Sequence, residues 1–383
     1  MTTEGGHGGH GGHGGHGGHG GHGGHGGHGG HGGHGGHGGH GGHGGHGGHG
    51  GHGGHGEHAG SASSPLLNLA LASTRDGLHL HWDNEVQTPE PNRQGRKAWS
   101  AFSTMDRRER NAVLDTSLLS NIAIHIPNND KKAQNSRKVR IFGKTALTLT
   151  RPTVKEFRDQ LDRVMSSAHL RMDRLEEINV QIGDITSFFG SLIYLQGHST
   201  KWTLELIDAV LRLCSAIEFP LKMQFDCPRP ITFDNRVQPI IQTPTHGTWP
   251  SGHATEAFAL ATVLSALTGN EDWVSAKDGL FRLAGRIADN RTVAGVHFPT
   301  DSYAGAFLGV TIGQYVVACC TGKDESLEKR SYQIGDENWQ DFIPSEIATL
   351  LRDNANNWSG ELEKVDPVLG QLWKKAKQET DLS

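Results

Sequence analysis

Residues 248–258 read TWPSGHATEAF. Pro250, Ser251 and Gly252 interrupt whatever precedes them, and the chain then runs apolar at helical spacing, which predicts a helix over Thr255–Leu267. Ser251 suits the N-cap of such a helix. The same helix end presents unpaired N–H groups carrying partial positive charge, which makes it an anion site as well. Gly252, with no side chain, would let an anion approach its N–H closely. His253 adds a group that can move a proton. From this stretch alone, capping and anion binding both stay open.

Two further motifs bear on the choice. KMQFDCPRP (222–230) places Lys222 six residues before Arg229, with Pro230 next, and NRTVAGVHFPTD (290–301) supplies Arg291, His297 and Asp301. Lys222, Arg229 and Arg291 are three cationic donors, and the planar fork of arginine suits tetrahedral oxyanions. His297 lies at a helix start, and Asp301 four residues on can reach one ring nitrogen. That contact would fix the tautomer and leave the other nitrogen to attack or ligate. Each motif singly has a commoner explanation: a cap, a surface lysine, a loop Arg-Pro. Their ordered succession is what points to one site.

That succession resembles the signature of type 2 phosphatidic acid phosphatases and vanadium-dependent haloperoxidases, K-x6-RP, then PSGH, then SR-x5-H-x3-D. Here the positions are Lys222 to Arg229-Pro230, Pro250 to His253, and Arg291 through His297 to Asp301, with Asn290 in place of the motif serine. The motifs span 222–301, and the resemblance is expected to reach back to about Arg174 and forward to about Cys319. It implies a bundle of packed helices holding an oxyanion. Lys222, Arg229, Ser251, Gly252 and Arg291 would hydrogen-bond phosphate or vanadate oxygens. His297 would be the phosphatase nucleophile or the vanadium ligand, and His253 the acid–base residue.

Two activities follow from the resemblance. A haloperoxidase would take vanadate as cofactor and oxidise halide with hydrogen peroxide to hypohalous acid, His253 accepting the peroxide proton and Lys222 polarising the peroxide. A phosphatase would cleave phosphomonoesters, His297 attacking phosphorus and His253 protonating the departing alcohol. The peroxidase is the expectation. MTTEGGHGG lacks the regions of a secretory signal, no set of membrane spans appears, and the chain ahead of Lys222 is longer than small phosphatases need. His246, five residues before Ser251, also stands where family bromoperoxidases carry a second histidine and chloroperoxidases carry phenylalanine, which favours bromide or iodide.

The rest of the chain bounds this reading. From Gly5 to Gly56 runs a Gly-Gly-His repeat holding 17 of the 26 histidines. It has no apolar side chains to bury, so a disordered tail over 1–60 is expected. As a competing role, its imidazoles could bind transition metals as an arm. The net charge of −5 leaves no nucleic-acid footprint. Cys214, Cys227, Cys319 and Cys320 show no metal or disulfide spacing and read as buried free thiols. Residues 303–320 are apolar enough to imitate a membrane span, but a buried core helix is the better expectation. A cytoplasmic protein without membrane partner follows, and its apolar helices could support a homodimer.

The fold expected is mainly α, a helical bundle without βαβ alternation. A mixed region over 61–150 should pack on a catalytic bundle over 151–322, with a C-terminal helical extension over 323–383. Within them, an extended segment is expected near 66–82, a helix around Leu114, Leu118, Leu119 and Ile122, and a hairpin or loop over 126–150. Helices are expected from Pro152, over 175–195, over Thr203–Phe219 with Thr203 as cap and Pro220 just past the end, over Ala276–Ala288 and over Ser302–Cys319.

Overall fold

The computed structural model describes residues 65–78, 95–125, 135–270, 272–324, 327–335, 342–362 and 365–381. The Gly-Gly-His repeat, and with it the expected disordered tail, lies outside them. The chain divides into two units, 1–92 and 93–383. In the first, α1 (Pro65–Leu78) is a helix where an extended segment was expected. Its leucines and alanines are strong helix formers, and Pro65 is tolerated in a first turn.

The second unit begins with α2 (Ala98–Phe102) and α3 (Arg107–Leu119), followed by β1 (Ile122–His125), β2 (Ser136–Ile141) and β3 (Lys144–Thr150). Ile122, grouped by spacing with the α3 leucines, instead opens a strand, because the helix stops at Ser120 and the chain turns to pair with Ile141. Short helices follow: α4 (Val154–Asp159), α5 (Leu161–Ser166), α6 (Arg171–Val180) and α7 (Thr186–Phe189). The single helix expected over 175–195 is broken between α6 and α7, around Gly183 and Asp184, whose carboxylate accepts the Ser187 N–H.

Next come α8 (Lys201–Phe225), α9 (Pro230–Phe233), α10 (Gly252–Leu267), α11 (Gly279–Val293) and α12 (Pro299–Thr321). The chain closes with β4 (Glu328–Tyr332), α13 (Pro344–Asp353), β5 (Asn356–Asn357) and α14 (Pro367–Asp381). α8 is capped at Thr200 and continues through Pro220 for another turn, against the expected stop. Proline deprives the carbonyl four residues back of its partner, but Ala216 and Phe219 are exposed here. Water can satisfy that carbonyl, while Ile217, Leu221 and Phe225 hold the helix on its buried side.

The centre of the bundle is the pair α10 and α12. Gly305, Gly309 and Gly313 recur every fourth residue on α12, and a Cβ at each would stand 2.6 Å from Ala254 Cβ, 2.4 Å from Thr255 O and 2.6 Å from Thr262 Cβ. Only hydrogen fits between these backbones. This stripe explains the span-like composition: α12 is long and apolar enough to cross a membrane, yet 89% of its apolar window is buried inside the protein.

A five-stranded sheet, ordered β1-β2-β3-β4-β5, covers one side. β3 and β4 run parallel, so the helices from α4 to α12 form their connection. β4 was not legible as a strand because EKRSY carries charges, and its inward residues are Arg330 and Tyr332. Arg330 is satisfied there by Gln314 Oε1 and Leu351 O and pairs with Glu328.

Candidate active site

Three chain turns deliver the motif residues to one place. The last turns of α8 carry Lys222. The segment before α9 carries Arg229. The turns that start α10 and α12 carry Ser251–His253 and His297–Asp301, and the end of α11 brings Arg291. Ser251 N donates to the main-chain oxygen of Asp301 at 2.9 Å, which ties the starts of α10 and α12 together. The Ser251 hydroxyl accepts from Ala254 N as the N-cap of α10, which leaves its own hydrogen to donate. All nine residues singled out in the sequence lie in this one cluster. Seven are buried, while His246 and His253 are half-buried.

His297 is held from both sides. Its Nδ1 lies 2.9 Å from Asp301 Oδ2 and 3.1 Å from Thr248 Oγ1, while Thr248 itself donates to Asp301 Oδ2 at 2.5 Å. Asp301 also accepts from Phe298 N at 2.9 Å. A carboxylate can only accept, so the imidazole proton sits on Nδ1 and the Nε2 lone pair is left available. Arg229 Nη1 donates to that Nε2 at 3.0 Å. Burial, then Arg229 and Lys222, holds the ring well below its usual range, so His297 is neutral. Burial pushes Asp301 up to about 6 against the pull of Thr248 and the Phe298 N–H, so it is ionised at neutral pH.

The cations are deeply placed. Lys222 Nζ donates to Pro250 O at 2.5 Å, with Thr248 O and Gly247 O at 3.4 Å. Its burial lowers the ammonium to about 8. Arg229 donates to Val296 O, His246 O and Gly247 O, and its Nη2 lies 3.2 Å from His246 Nδ1. His246 rests edge-on against Phe219, and burial with the nearby Lys222 and Arg229 lowers it to about 4, so it too is neutral. Arg291 is 1% exposed and uses only Nη2, toward Ile178 O and Gln181 Oε1. Its Nε and Nη1 have no partner. A buried guanidinium without a carboxylate and with two idle donors fits an oxyanion of the phosphate or vanadate type.

Sequence reasoning missed four residues of this cluster. Thr248 was in the quoted stretch, but nothing marked it as a donor to Asp301. Gln181 lies outside every motif; its carbonyl oxygen is 2.8 Å from His253 Nε2. Asn290, which stands in place of the motif serine, bridges Gln181 Oε1 and Glu177 Oε2 and accepts from Arg174. Glu218 sits one helical turn before Lys222, a spacing that could have flagged it. Its carboxylate occupies the place of a Gly252 side chain: a Cβ there would be 2.6 Å from Oε1. Gly252 is thus required by packing, whatever it does for an anion. Glu218 is 3% exposed, its Oε2 is unpartnered, and burial pushes it up to about 7 despite Lys222 and Arg229. Glu256, one turn after Gly252 on α10, is also buried and raised, by burial and then by Glu218.

Residues 206–324 match the PAP2 superfamily. This stretch of the chain is similar to the PAP2 superfamily. The match takes in every motif residue from Lys222 to Asp301, and members of this superfamily are generally enzymes. No curated protein matches the chain.

Proposed function

We propose that the protein is a vanadate-dependent haloperoxidase that oxidises bromide or iodide with hydrogen peroxide. The observation that carries this reading is the neutral His297, its Nε2 lone pair facing Arg229 in a buried cluster whose Arg291 leaves two donors idle. Lys222, Arg229, Arg291 and the start of α10 would hold the oxyanion, with His297 Nε2 as its protein ligand. Bound vanadate would activate hydrogen peroxide as a Lewis acid toward a halide nucleophile. Arg229 would hand His297 Nε2 over to the oxyanion and keep its contact with Val296 O. Asp301 and Thr248 hold the Nδ1 proton throughout, so Nε2 stays a lone pair. His253, half-buried at the edge of the cluster, would take the proton from the peroxide. The neutral His246 on Arg229 supports the bromide preference.

The test is a pair of assays on purified protein. With vanadate loaded, peroxide-dependent bromination of a reporter phenol is expected; without it, hydrolysis of an aryl phosphate should be negligible. Phosphate release that vanadate inhibits, with no bromination, overturns the peroxidase reading in favour of a phosphatase using the same His297 and His253.

A further inference from the structure

Gln181 caps the end of α6, ahead of the matched region, and is 1% exposed. Its side chain is oriented without ambiguity. Arg291 Nη2 can only donate, so the atom facing it at 2.9 Å is Oε1. Asn290 is fixed in the same way, because Arg174 donates to its Oδ1, leaving Nδ2 to donate to Gln181 Oε1 at 3.0 Å. The Gln181 amide nitrogen is what remains, buried and with no acceptor. It is bonded to the same carbon as the oxygen that touches Arg291, whose own Nε and Nη1 are also unpartnered. Three idle donor nitrogens thus lie close together and buried, where an unsatisfied donor is costly. The same residue also holds a histidine: the Gln181 main-chain oxygen faces His253 Nε2 at 2.8 Å.

We propose that Gln181 is a binding residue of the oxyanion site, donating from Nε2 to the bound anion beside Arg291 and holding His253 in the tautomer protonated on Nε2. The inference rests on the oxyanion reading of the pocket and deepens it. An acceptor-only tetrahedral anion satisfies all three donors without supplying a hydrogen of its own. A carbonyl cannot donate, so whenever the His253 ring is neutral its proton sits on Nε2 and Nδ1 is its basic nitrogen.

The probe is tungstate, a tetrahedral dianion with no titrating proton near neutrality, measured by calorimetry on the full chain. Gln181→Glu keeps an acceptor for Asn290 and Arg291 but replaces the amide nitrogen with an oxygen; Gln181→Leu removes both. Binding should weaken at least about 10-fold in Gln181→Leu and about 100-fold in Gln181→Glu, the scale of a lost and of a reversed charged hydrogen bond. Gln181→Glu should keep or raise the melting temperature, because it pairs with Arg291. Both variants within twofold of wild type, while Arg291→Met has lost binding, overturns the proposal and leaves the pocket intact. A wild type that binds neither tungstate nor phosphate overturns the pocket reading itself. Wild-type crystals soaked in tungstate provide a check free of substitutions. An anion oxygen within hydrogen-bond reach of Gln181 Nε2 is expected, and an anion on Arg291 with Nε2 bound only to water overturns the assignment.

Discussion

The two ends of α8 treat buried charge in opposite ways. Near its start, Glu205 receives Arg110 in a bidentate pair, Nε to Oε1 at 2.9 Å and Nη2 to Oε2 at 3.1 Å, and Arg110 Nη1 goes to Met105 O. Every polar atom of the Arg110 guanidinium is used, and Trp202 lies 5.9 Å away as an apolar wall. Near its end, Lys222 rests on carbonyls, Glu218 keeps an unpartnered oxygen, and Arg291 opposite keeps two idle donors. The first arrangement closes on itself and serves the fold. The second leaves two Arg291 donors idle, which the proposed oxyanion would take up. A buried charge is costly unless paired, and the proposed oxyanion would supply the partner that Arg291 lacks.

The sharpest way to break that contrast is His297→Ala. Loss of the Nε2 lone pair should drop either superfamily activity below about one-thousandth, as removal of a residue at the reacting centre does. Steady-state assay measures it, and surviving activity removes the site assignment. Next comes a paired comparison of Arg110→Ala with Arg291→Met. Breaking the closed pair should cost about 3–5 kcal/mol in urea unfolding, because Glu205 is left buried and alone. Arg291→Met should stay within about 1 kcal/mol of wild type or gain stability, while losing oxyanion binding. Equal destabilisation of the two would erase the distinction between the ends of α8.

A third test addresses the scaffold under the site. Gly309→Ala would set a methyl 2.4 Å from Thr255 O and must push α12 off α10. A loss of about 1–3 kcal/mol is expected, with activity falling too because Ser251 N and Asp301 O would separate; a neutral effect means the helices are not clamped by that stripe. The smallest effect is the pH dependence from Glu218, raised from 4.5 to about 7. The native state then holds a proton that the unfolded chain has lost. The resulting stability is fully present below about pH 4.5 and falls as the pH rises to about 7. Gln at 218 should flatten this fall and raise the melting temperature at pH 8 by about 2–4 °C. An unchanged slope places the proton on Glu256 or elsewhere.

Much of the site was legible because its residues are chemically rare in combination. Three cations, two histidines and an aspartate at fixed intervals have few structural explanations together. The residues that escaped are the ordinary ones. Thr248, Gln181 and Asn290 matter through where their amides and hydroxyls point, and no spacing rule encodes that. In the fold, the apolar helices α10 and α12 were legible from composition, with boundaries off by a turn. β4 was not, because a strand whose inward residue is Arg330 carries no apolar alternation. The stop expected at Pro220 failed because tertiary packing of Leu221 and Phe225 outweighs one lost backbone bond.

By itself, then, the chain determined a bundle of apolar helices, the likeness of its central stretch to one superfamily, and the residue set that an oxyanion would meet. Those depend on local composition and on the order of a few reactive side chains. Tertiary structure alone decided which donors remain idle, that Gly252 makes room for Glu218, and that His297 is neutral with its lone pair on Nε2. Each of these depends on burial and on neighbours from distant elements. The energy of a buried polar group is set by what surrounds it, not by what precedes it in the chain.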